Sequence, residues 1–147
     1  MALKGKRKIV CLTAANAPMA AALDTQCDLL LVRDSLAMTI YRLESTAEVT
    51  FDIMIRHGKA VVSRAKTALV IVDLPAGSYK KSLAQARYSA QKIMAETGAD
   101  GVKLEGGQSM CKQVVSLTAA AYRHAVSNGT FPAEHNLYGS ISHKNSN

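Results

Sequence analysis

The sequence predicts an α/β fold in which short parallel strands alternate with helices. Three apolar runs each end in a carboxylate beside small or turn residues, at 29–35, 70–75 and 101–107. Their continuous apolar character is typical of strands in a parallel sheet that is covered on both faces. Carboxylates at the C-terminal ends of adjacent parallel strands converge on one mouth, where α/β barrels hold metal ions and catalytic groups. The pattern therefore predicts an enzyme, or a part of one.

The first half of the chain contains two predicted strands. Residues 9–13 form the first, and an alanine-rich helix over 14–23, with Pro18 near its start, follows it. Residues 29–32 form the second strand, and a polar loop leads on from it through 44–46.

The second half repeats the alternation of strand and helix. Its predicted elements are a helix that begins after Thr50, a third strand over 68–72, a helix over 82–97 that ends at Gly98, a fourth strand at Val102 and a last helix over 112–126. Four βα units can be counted, and beyond Asn128 and Gly129 the tail is polar.

Composition bounds the class of protein. The chain has 147 residues, 48% of them hydrophobic and 20% charged, which predicts a single globular domain. The net charge is +7, yet the basic residues cluster only around Lys4 and Lys6 to Lys8, and aromatic residues are 5% with no tryptophan. The stacking platform of single-strand binders is therefore missing, and we expect no nucleic acid as a partner. We also expect no membrane partner, because no stretch approaches the roughly 18 apolar residues of a membrane span.

Cysteine usage bears on the compartment. Cys11, Cys27 and Cys111 are widely spaced and form no Cys-x-x-Cys motif. The start of the chain lacks the apolar region of a secretion signal. Both features indicate a protein of the reducing cytoplasm.

Four short motifs follow one another, each at the end of a predicted strand or in the loop after it. They are Asp-Ser-Leu-x-Met-Thr at 34–39, Ser-Thr-x-x-Val-Thr at 45–50, Asp-Leu-Pro at 73–75 and Val-Lys-Leu-Glu-Gly-Gly at 102–107. Through these motifs the chain resembles the ketopantoate hydroxymethyltransferase family. Residues 128–135 resemble the extreme C-terminus of the same family.

The resemblance implies an architecture. A typical member of that family is a complete barrel of eight βα units and acts as a large homo-oligomer. Here the fourth strand leads almost directly into the terminal helix, which implies an internally deleted member: parallel βα units of a TIM-barrel type, truncated to about half a barrel. Residues 1–110 would form the N-terminal half of the barrel with the metal and keto-acid motifs. Residues 111–147 would form a terminal helix and tail packed on the same domain.

The resemblance also implies a reaction. In the family, Mg²⁺ chelates the α-keto acid 3-methyl-2-oxobutanoate, a base removes the C3 proton, and the enolate attacks the methylene group of 5,10-methylenetetrahydrofolate. The product is ketopantoate, a precursor of pantothenate and coenzyme A. Mg²⁺ prefers oxygen ligands and keeps several waters, so one or two carboxylates and a bidentate keto acid complete its coordination.

Five residues of this sequence match the family's site. Asp34 and Asp73 would bind the metal and, through it, the substrate. Ser35 would donate a hydrogen bond to the substrate carboxylate, and Lys103 would supply a positive contact. Glu105 would bind the metal through a bound water or act in proton transfer.

Each of these residues also has a structural interpretation. A strand-end aspartate often caps the following helix. Lys103 can extend from a strand toward water without any partner. Gly106 and Gly107 fit either an ordinary turn or a close approach to substrate. We expect His57 to be a structural histidine and not a metal ligand.

The sequence departs from the family pattern at several positions. Arg33 stands where the family has glycine, where its side chain would crowd the metal aspartate or pair with it and compete with magnesium. The other replacements are Ala15-Asn16 for the family's Tyr-Asp, and Ala37 and Arg42 for glycines. The family's Gly-His-x-Gly-Leu segment and the glutamate at the end of its sixth strand have no counterpart, and loss of a general base costs on the order of 10²–10⁴-fold in rate.

Three functions therefore remain open from the sequence. The first is a hydroxymethyltransferase. The second is a catalytically inactive remnant or interaction subunit that associates with a full-length homologue. The third is another metal-dependent lyase or mutase that acts on small keto acids. A four-stranded sheet cut from a barrel exposes two edges and an apolar face. Either two copies complete a barrel as a homo-oligomer, or the last helix and tail cover the gap in a small open α/β sandwich.

Overall fold

The computed structural model describes residues 6–129, which form four βα units around one parallel sheet. The strands are β1 (Cys11–Thr13), β2 (Leu29–Val32), β3 (Leu69–Asp73) and β4 (Gly101–Lys103). The helices are α1 (Ala17–Leu23), α2 (Leu36–Thr39), α3 (Phe51–Val62), α4 (Leu83–Thr97) and α5 (Cys111–Ser127). The strands lie in the order β1-β2-β3-β4, so each new unit is added beside the last, as in a barrel.

One face of the sheet forms the core with the helices. Paired residues of parallel strands point to the same face, and the register aligns Leu30 with Val70 and Val32 with Val72. All four side chains are buried. Helices α3 and α4 cover them with apolar side chains that include Met54, Val61 and Ile93.

The other face of the sheet is left partly exposed by the described residues. The register places six side chains on it, which we call the open sheet face: Cys11, Thr13, Leu29, Leu31, Leu69 and Ile71. Asp73 and Lys103 are paired in register and lie on the same face, one row nearer the C-terminal ends of the strands. The open sheet face therefore leads to the mouth at which the predicted site residues lie.

Helix starts follow the predicted capping residues. The side chains of Thr50 and Ser82 accept hydrogen bonds from the backbone N–H groups of Ile53 and Gln85, and α4 ends at Gly98, whose φ is +74°. The predicted helix over 82–97 is therefore confirmed. Helix α5 packs against α4, and the tail beyond residue 129 lies outside the described residues. No helix among residues 6–129 is both long and apolar enough to cross a bilayer.

Two predicted segments differ from the structure near the start of the chain. The first helix begins at Ala17 and not at residue 14, because the Asn16 side chain accepts a hydrogen bond from Met19 N–H and caps the helix there. The predicted polar loop after β2 contains the short helix α2. Its single turn is too short to show a helical period in the sequence, yet it buries Leu36 and Ala37.

Arg42 adopts a backbone conformation that favours glycine, the residue found there in the family it resembles. Its φ is +56°, the one positive value among the described residues other than glycine. A left-handed conformation costs a residue with a side chain roughly 1–2 kcal/mol. Glycine in turn loses roughly 0.5–1 kcal/mol more conformational freedom on folding. Arg42→Gly should therefore raise the free energy of unfolding by about 0.5–1 kcal/mol, measured by urea denaturation.

Arg33→Gly is the matched control, because Arg33 also replaces a family glycine but has no positive φ. With no strain to relieve, this variant should be no more stable than the wild type. Equal stabilisation by both changes would contradict the assignment of strain to Arg42.

Asp24 joins the end of α1 to the turn before β3. Its carboxylate accepts hydrogen bonds from the backbone N–H groups of Lys66, Thr67 and Ala68. The bonds from Ala68 and Thr67 outweigh the effect of burial and lower the pKa of Asp24 from 3.8 to about 2. A carboxyl whose pKa is lowered by folding stabilises the protein above its unfolded pKa, and that contribution is lost as pH falls toward the folded value.

We expect Asp24→Asn to reduce the loss of stability between about pH 4 and pH 2. The wild type should lose thermal stability more steeply across this window than the variant, as followed by circular dichroism. Asp52→Asn is the control, since Asp52 is exposed and pairs only with Arg56. Parallel acid profiles for the wild type and Asp24→Asn would refute this role of Asp24.

Candidate active site

Two buried aspartates lie at the ends of the two central strands. Asp73 is the last residue of β3 and is 2% exposed, and Asp34 follows β2 and is 8% exposed. The backbone N–H of Asp34 donates to Asp73 Oδ2 over 3.3 Å. Neither carboxylate caps a helix, so the structure does not support the capping interpretation for either aspartate.

Lys103 and Glu105 extend this pair toward the edge strand. Lys103, the last residue of β4, donates from Nζ to Asp73 Oδ1 over 2.7 Å and lies 3.5 Å from Glu105 Oε1. The Lys103 side chain is 37% exposed and that of Glu105 64%. Lys103 therefore has a specific partner, in contrast to the solvent-directed alternative, and it links the buried aspartates to an exposed carboxylate.

The site carries a surplus of negative charge. Burial raises the pKa of Asp34, the charges of Asp73 and Glu105 raise it further, and those of Lys103 and Arg33 act in the opposite direction. For Lys103, burial lowers the pKa, but the hydrogen bond to Asp73 and the charges of Asp73 and Glu105 outweigh it and raise the pKa. Three carboxylates against the two cations Lys103 and Arg33 leave an excess of negative charge, which favours a further cation.

Ser35 lies beside the pair in sequence, at the start of α2. Its side chain makes no capping hydrogen bond, and its backbone carbonyl accepts from Met38 and Thr39. No described contact joins the Ser35 hydroxyl to Asp73, Lys103 or Glu105. The structure thus brings four of the five predicted residues into one connected set and places Ser35 next to one of them.

Tyr79 is a site residue that the sequence interpretation missed. Its hydroxyl, in the loop between β3 and α4, accepts a hydrogen bond from the Glu105 backbone N–H over 3.1 Å, and the residue is 3% exposed. It therefore fixes the chain just beyond β4. The only available signal was its position in the loop that follows a strand-end aspartate.

The structure bears on the alternatives left open for Gly106 and Arg33, which lie near the mouth. Gly106 has a φ of +136° and faces the Met110 side chain, which supports the turn interpretation. Arg33 is exposed and takes part in none of the ion pairs among the described residues, although its charge acts on Asp34, so the structure does not show the pairing alternative. A charged side chain after β2 avoids the cost of burial by pointing to solvent.

His57 makes two side-chain contacts within the described part of the chain. Its Nδ1 lies 2.5 Å from the carbonyl oxygen of Ala15, and its Nε2 lies 2.9 Å from the Tyr41 hydroxyl. The imidazole therefore connects α3 to two loops on the mouth side of the sheet.

A divalent oxygen-preferring cation fits the chemistry of the aspartate pair. Buried carboxylates at adjacent strand ends are the hard ligands that Mg²⁺ takes, one or two at a time, while it keeps several waters. Within residues 6–129 no group of three or more histidine, cysteine, aspartate or glutamate side chains has metal-holding geometry. The donor set that fits such a cation is the carboxylate pair of Asp34 and Asp73.

The fold defines an α/β protein of the TIM-barrel type, of which this chain provides about half. Its structure is similar to that of phosphonopyruvate hydrolase, solved in complex with oxalate and Mg²⁺, with a TM-score of 0.63 and 14% sequence identity. The match covers 81% of this chain and 45% of the hydrolase chain. This similarity concerns the fold, and it confirms the predicted half barrel.

Sequence comparison then gives the family. The family model for ketopantoate hydroxymethyltransferase matches residues 1–141, and the chain belongs to this family. It is 53% identical over 117 residues to 3-methyl-2-oxobutanoate hydroxymethyltransferase of Agrobacterium fabrum, covering 80% of this chain and 42% of that relative. The same-named protein of Rhizobium rhizogenes is 54% identical over 118 residues, covering 80% and 43%. The chain thus spans less than half the length of these curated relatives.

Proposed function

We propose that this chain provides the metal-binding and keto-acid-binding half of a ketopantoate hydroxymethyltransferase site. The reaction is transfer of a hydroxymethyl group from 5,10-methylenetetrahydrofolate to 3-methyl-2-oxobutanoate, which gives ketopantoate for pantothenate and coenzyme A synthesis. The observation that carries the proposal is the buried Asp34 and Asp73 pair at the strand ends, with Lys103 bonded to Asp73, in a chain that belongs to this family.

Asp34 and Asp73 would hold Mg²⁺ in this site. When bound, the cation supplies Lewis acidity that polarises the keto group and favours loss of the C3 proton. The ion pair with Lys103 keeps the Asp73 carboxylate in one orientation, and the N–H of Asp34 fixes its second oxygen. These contacts prepare the carboxylates for a ligand before it arrives.

The remaining residues act on the substrate itself. The Ser35 hydroxyl, free of capping bonds, would donate to the substrate carboxylate, and the half-exposed Lys103 ammonium would attract it. Glu105 is exposed at the mouth with its backbone fixed by Tyr79, a position suited to exchange of a proton with bulk water or to holding a metal-bound water. In this proposal the substrate-binding residues lie at the start of α2 and the end of β4, and the metal-binding residues lie at the ends of β2 and β3.

A second candidate function is that of an inactive remnant or an interaction subunit of the same family. The chain spans 42% of the length of a curated relative, and its sheet has one partly exposed face. If the missing part supplies the general base, turnover would fall by on the order of 10²–10⁴-fold while substrate binding persists. The two functions therefore differ in turnover and agree in binding.

Calorimetric titration of 3-methyl-2-oxobutanoate into the chain tests the proposal. We expect binding in the presence of Mg²⁺ and none in EDTA. Absence of binding under both conditions, from protein shown to be folded, would contradict it. Binding followed by ketopantoate formation on addition of methylenetetrahydrofolate favours the enzyme, whereas binding without product favours the remnant or subunit.

A further inference from the structure

The two outer strands of the sheet have free edges. Within the described residues β1 pairs only with β2, and β4 pairs only with β3. The carbonyl oxygen of Val10 accepts a hydrogen bond from Leu29 N–H of β2, and Ala14 N–H donates to Leu31 O of β2. Because successive N–H groups of an extended strand point to opposite sides, those of Cys11 and Thr13 point away from β2. Free edges of this kind pair readily with another strand.

The open sheet face is apolar where a closed barrel would have its interior. Leu29, Leu31, Leu69 and Ile71 lie on this face in the two central strands. Leu69 is 54% exposed although its strand has a neighbour on each side. In a closed parallel barrel the inward side chains pack in layers of branched apolar residues contributed by all eight strands. On the open sheet face only four strands contribute, so these side chains lack the opposing side chains of a closed barrel.

The helix layer is apolar at the same two edges. Helix α1, which follows β1, exposes Met19, and α5, which follows β4, exposes Val114 and Val115, the latter by 67%. In a closed barrel the first and last helices of each half would contact the neighbouring half. Both edges therefore present apolar surface in the sheet layer and in the helix layer.

We propose that two copies of this chain associate into a closed barrel of eight parallel strands. A two-fold axis along the barrel places β4 of one copy beside β1 of the other and keeps all strands parallel. Four strands are half of the eight that close with a filled interior, so one further copy covers both edges and the open sheet face.

This arrangement has a consequence for the candidate site. Because all strands run in the same direction, the aspartate pairs of both copies open on the same mouth. The dimer stands independently of the proposed activity, since it rests on the edges and the apolar face and not on the metal site.

Light scattering coupled to size-exclusion chromatography measures the outcome directly. The wild type is expected at twice the 15.7 kDa mass of the chain. A monomer at the highest soluble concentration, or any other stoichiometry, would overturn the proposal. A loss of the Mg²⁺-dependent binding described above would not, so failure of the two proposals can be told apart.

Two variants and a control test the interface. Leu69→Lys places a charge in the barrel interior, and Cys11→Pro removes an outward N–H of β1 without breaking the β1–β2 ladder. Both are expected to shift the mass to that of a monomer. Met94→Lys, an exposed change on α4, is expected to remain a dimer. Dimers of unchanged stability in both Leu69→Lys and Cys11→Pro would overturn the proposal.

Hydrogen exchange on the wild type provides a check that needs no variant to fold. In the dimer the amides of Cys11 and Thr13 bond the partner copy and are expected to exchange as slowly as that of Leu12, which lies in the β1–β2 ladder. Fast exchange at both positions beside a slow Leu12 would show that the β1 edge is free and would contradict the barrel.

Discussion

Asp73→Asn is expected to abolish most of the Mg²⁺-dependent binding of 3-methyl-2-oxobutanoate. Asparagine keeps the shape of the side chain but removes the negative charge that the ammonium of Lys103 contacts over 2.7 Å. Loss of groups that merely orient metal ligands typically costs about 10–100-fold in metal affinity, and we expect loss of a ligand to cost at least that. Calorimetry in the presence of Mg²⁺ measures the change.

Asp52→Asn is the matched control for this prediction. Asp52 is an exposed carboxylate in the first turn of α3, remote in sequence from the strand ends, and its removal changes the net charge by the same amount. Affinity should be unchanged in this variant. An equal loss in both variants would indicate a general charge effect and would remove Asp73 from the site.

Gly58→Ala is expected to destabilise the fold although alanine is the better helix former. A Cβ at Gly58, in the middle of α3, would lie 2.7 Å from Thr97 Cγ2 and 3.3 Å from Val72 Cγ2. Thr97 cannot move away easily, because its hydroxyl donates to Ile93 O over 2.7 Å. Overpacking typically costs about 1–3 kcal/mol and alanine gains about 1 kcal/mol in helix propensity, so we expect a net loss of up to about 2 kcal/mol in the free energy of unfolding, measured by urea denaturation.

Thr97→Ser provides the test of this mechanism. Serine keeps the hydroxyl bonded to Ile93 O and removes only the methyl group that the new Cβ would meet. In the Thr97→Ser background, Gly58→Ala should cost less than in the wild type, as a double-mutant cycle would show. A cost that is the same in both backgrounds would mean that Thr97 is not the obstacle.

Much of the fold could be predicted because its signals are local. Strand β2 was predicted at its observed bounds and helix α4 to within one residue, since a continuous apolar run and a capped helical period specify them. The missed elements depend on tertiary contacts. Helix α2 is one turn long and exists because Leu36 and Ala37 fill the core, which a sequence period cannot show.

The candidate site was predictable in its residues and not in its connections. Asp34, Asp73 and Lys103 could be singled out because they follow adjacent strands and match the family's motifs. Their pairing, with Lys103 on Asp73, follows from the register of β3 and β4, which aligns these two residues side by side. The Tyr79 contact depends on the path of a loop, and the exposure of Arg33 depends on a side-chain conformation.

The half barrel would keep the metal-binding and keto-acid-binding part of the family's site, and a second copy of the chain would close the barrel. The electrostatics agree with this view, since Asp34 and Asp73 are buried close together and, among residues 6–129, Lys103 is their one direct ammonium partner. Such a pair gains more from a cation than a solvated surface pair would, because burial weakens solvent screening.

Deuterium exchange at C3 of 3-methyl-2-oxobutanoate, followed by proton NMR, tests the central claim most directly, because it reports enolisation without the folate half of the reaction. We predict Mg²⁺-dependent exchange catalysed by the chain, lost in EDTA and lost in Asp73→Ala. Exchange no faster than in Asp73→Ala, from wild-type protein shown to be folded, would contradict the claim that this half site performs the first chemical step.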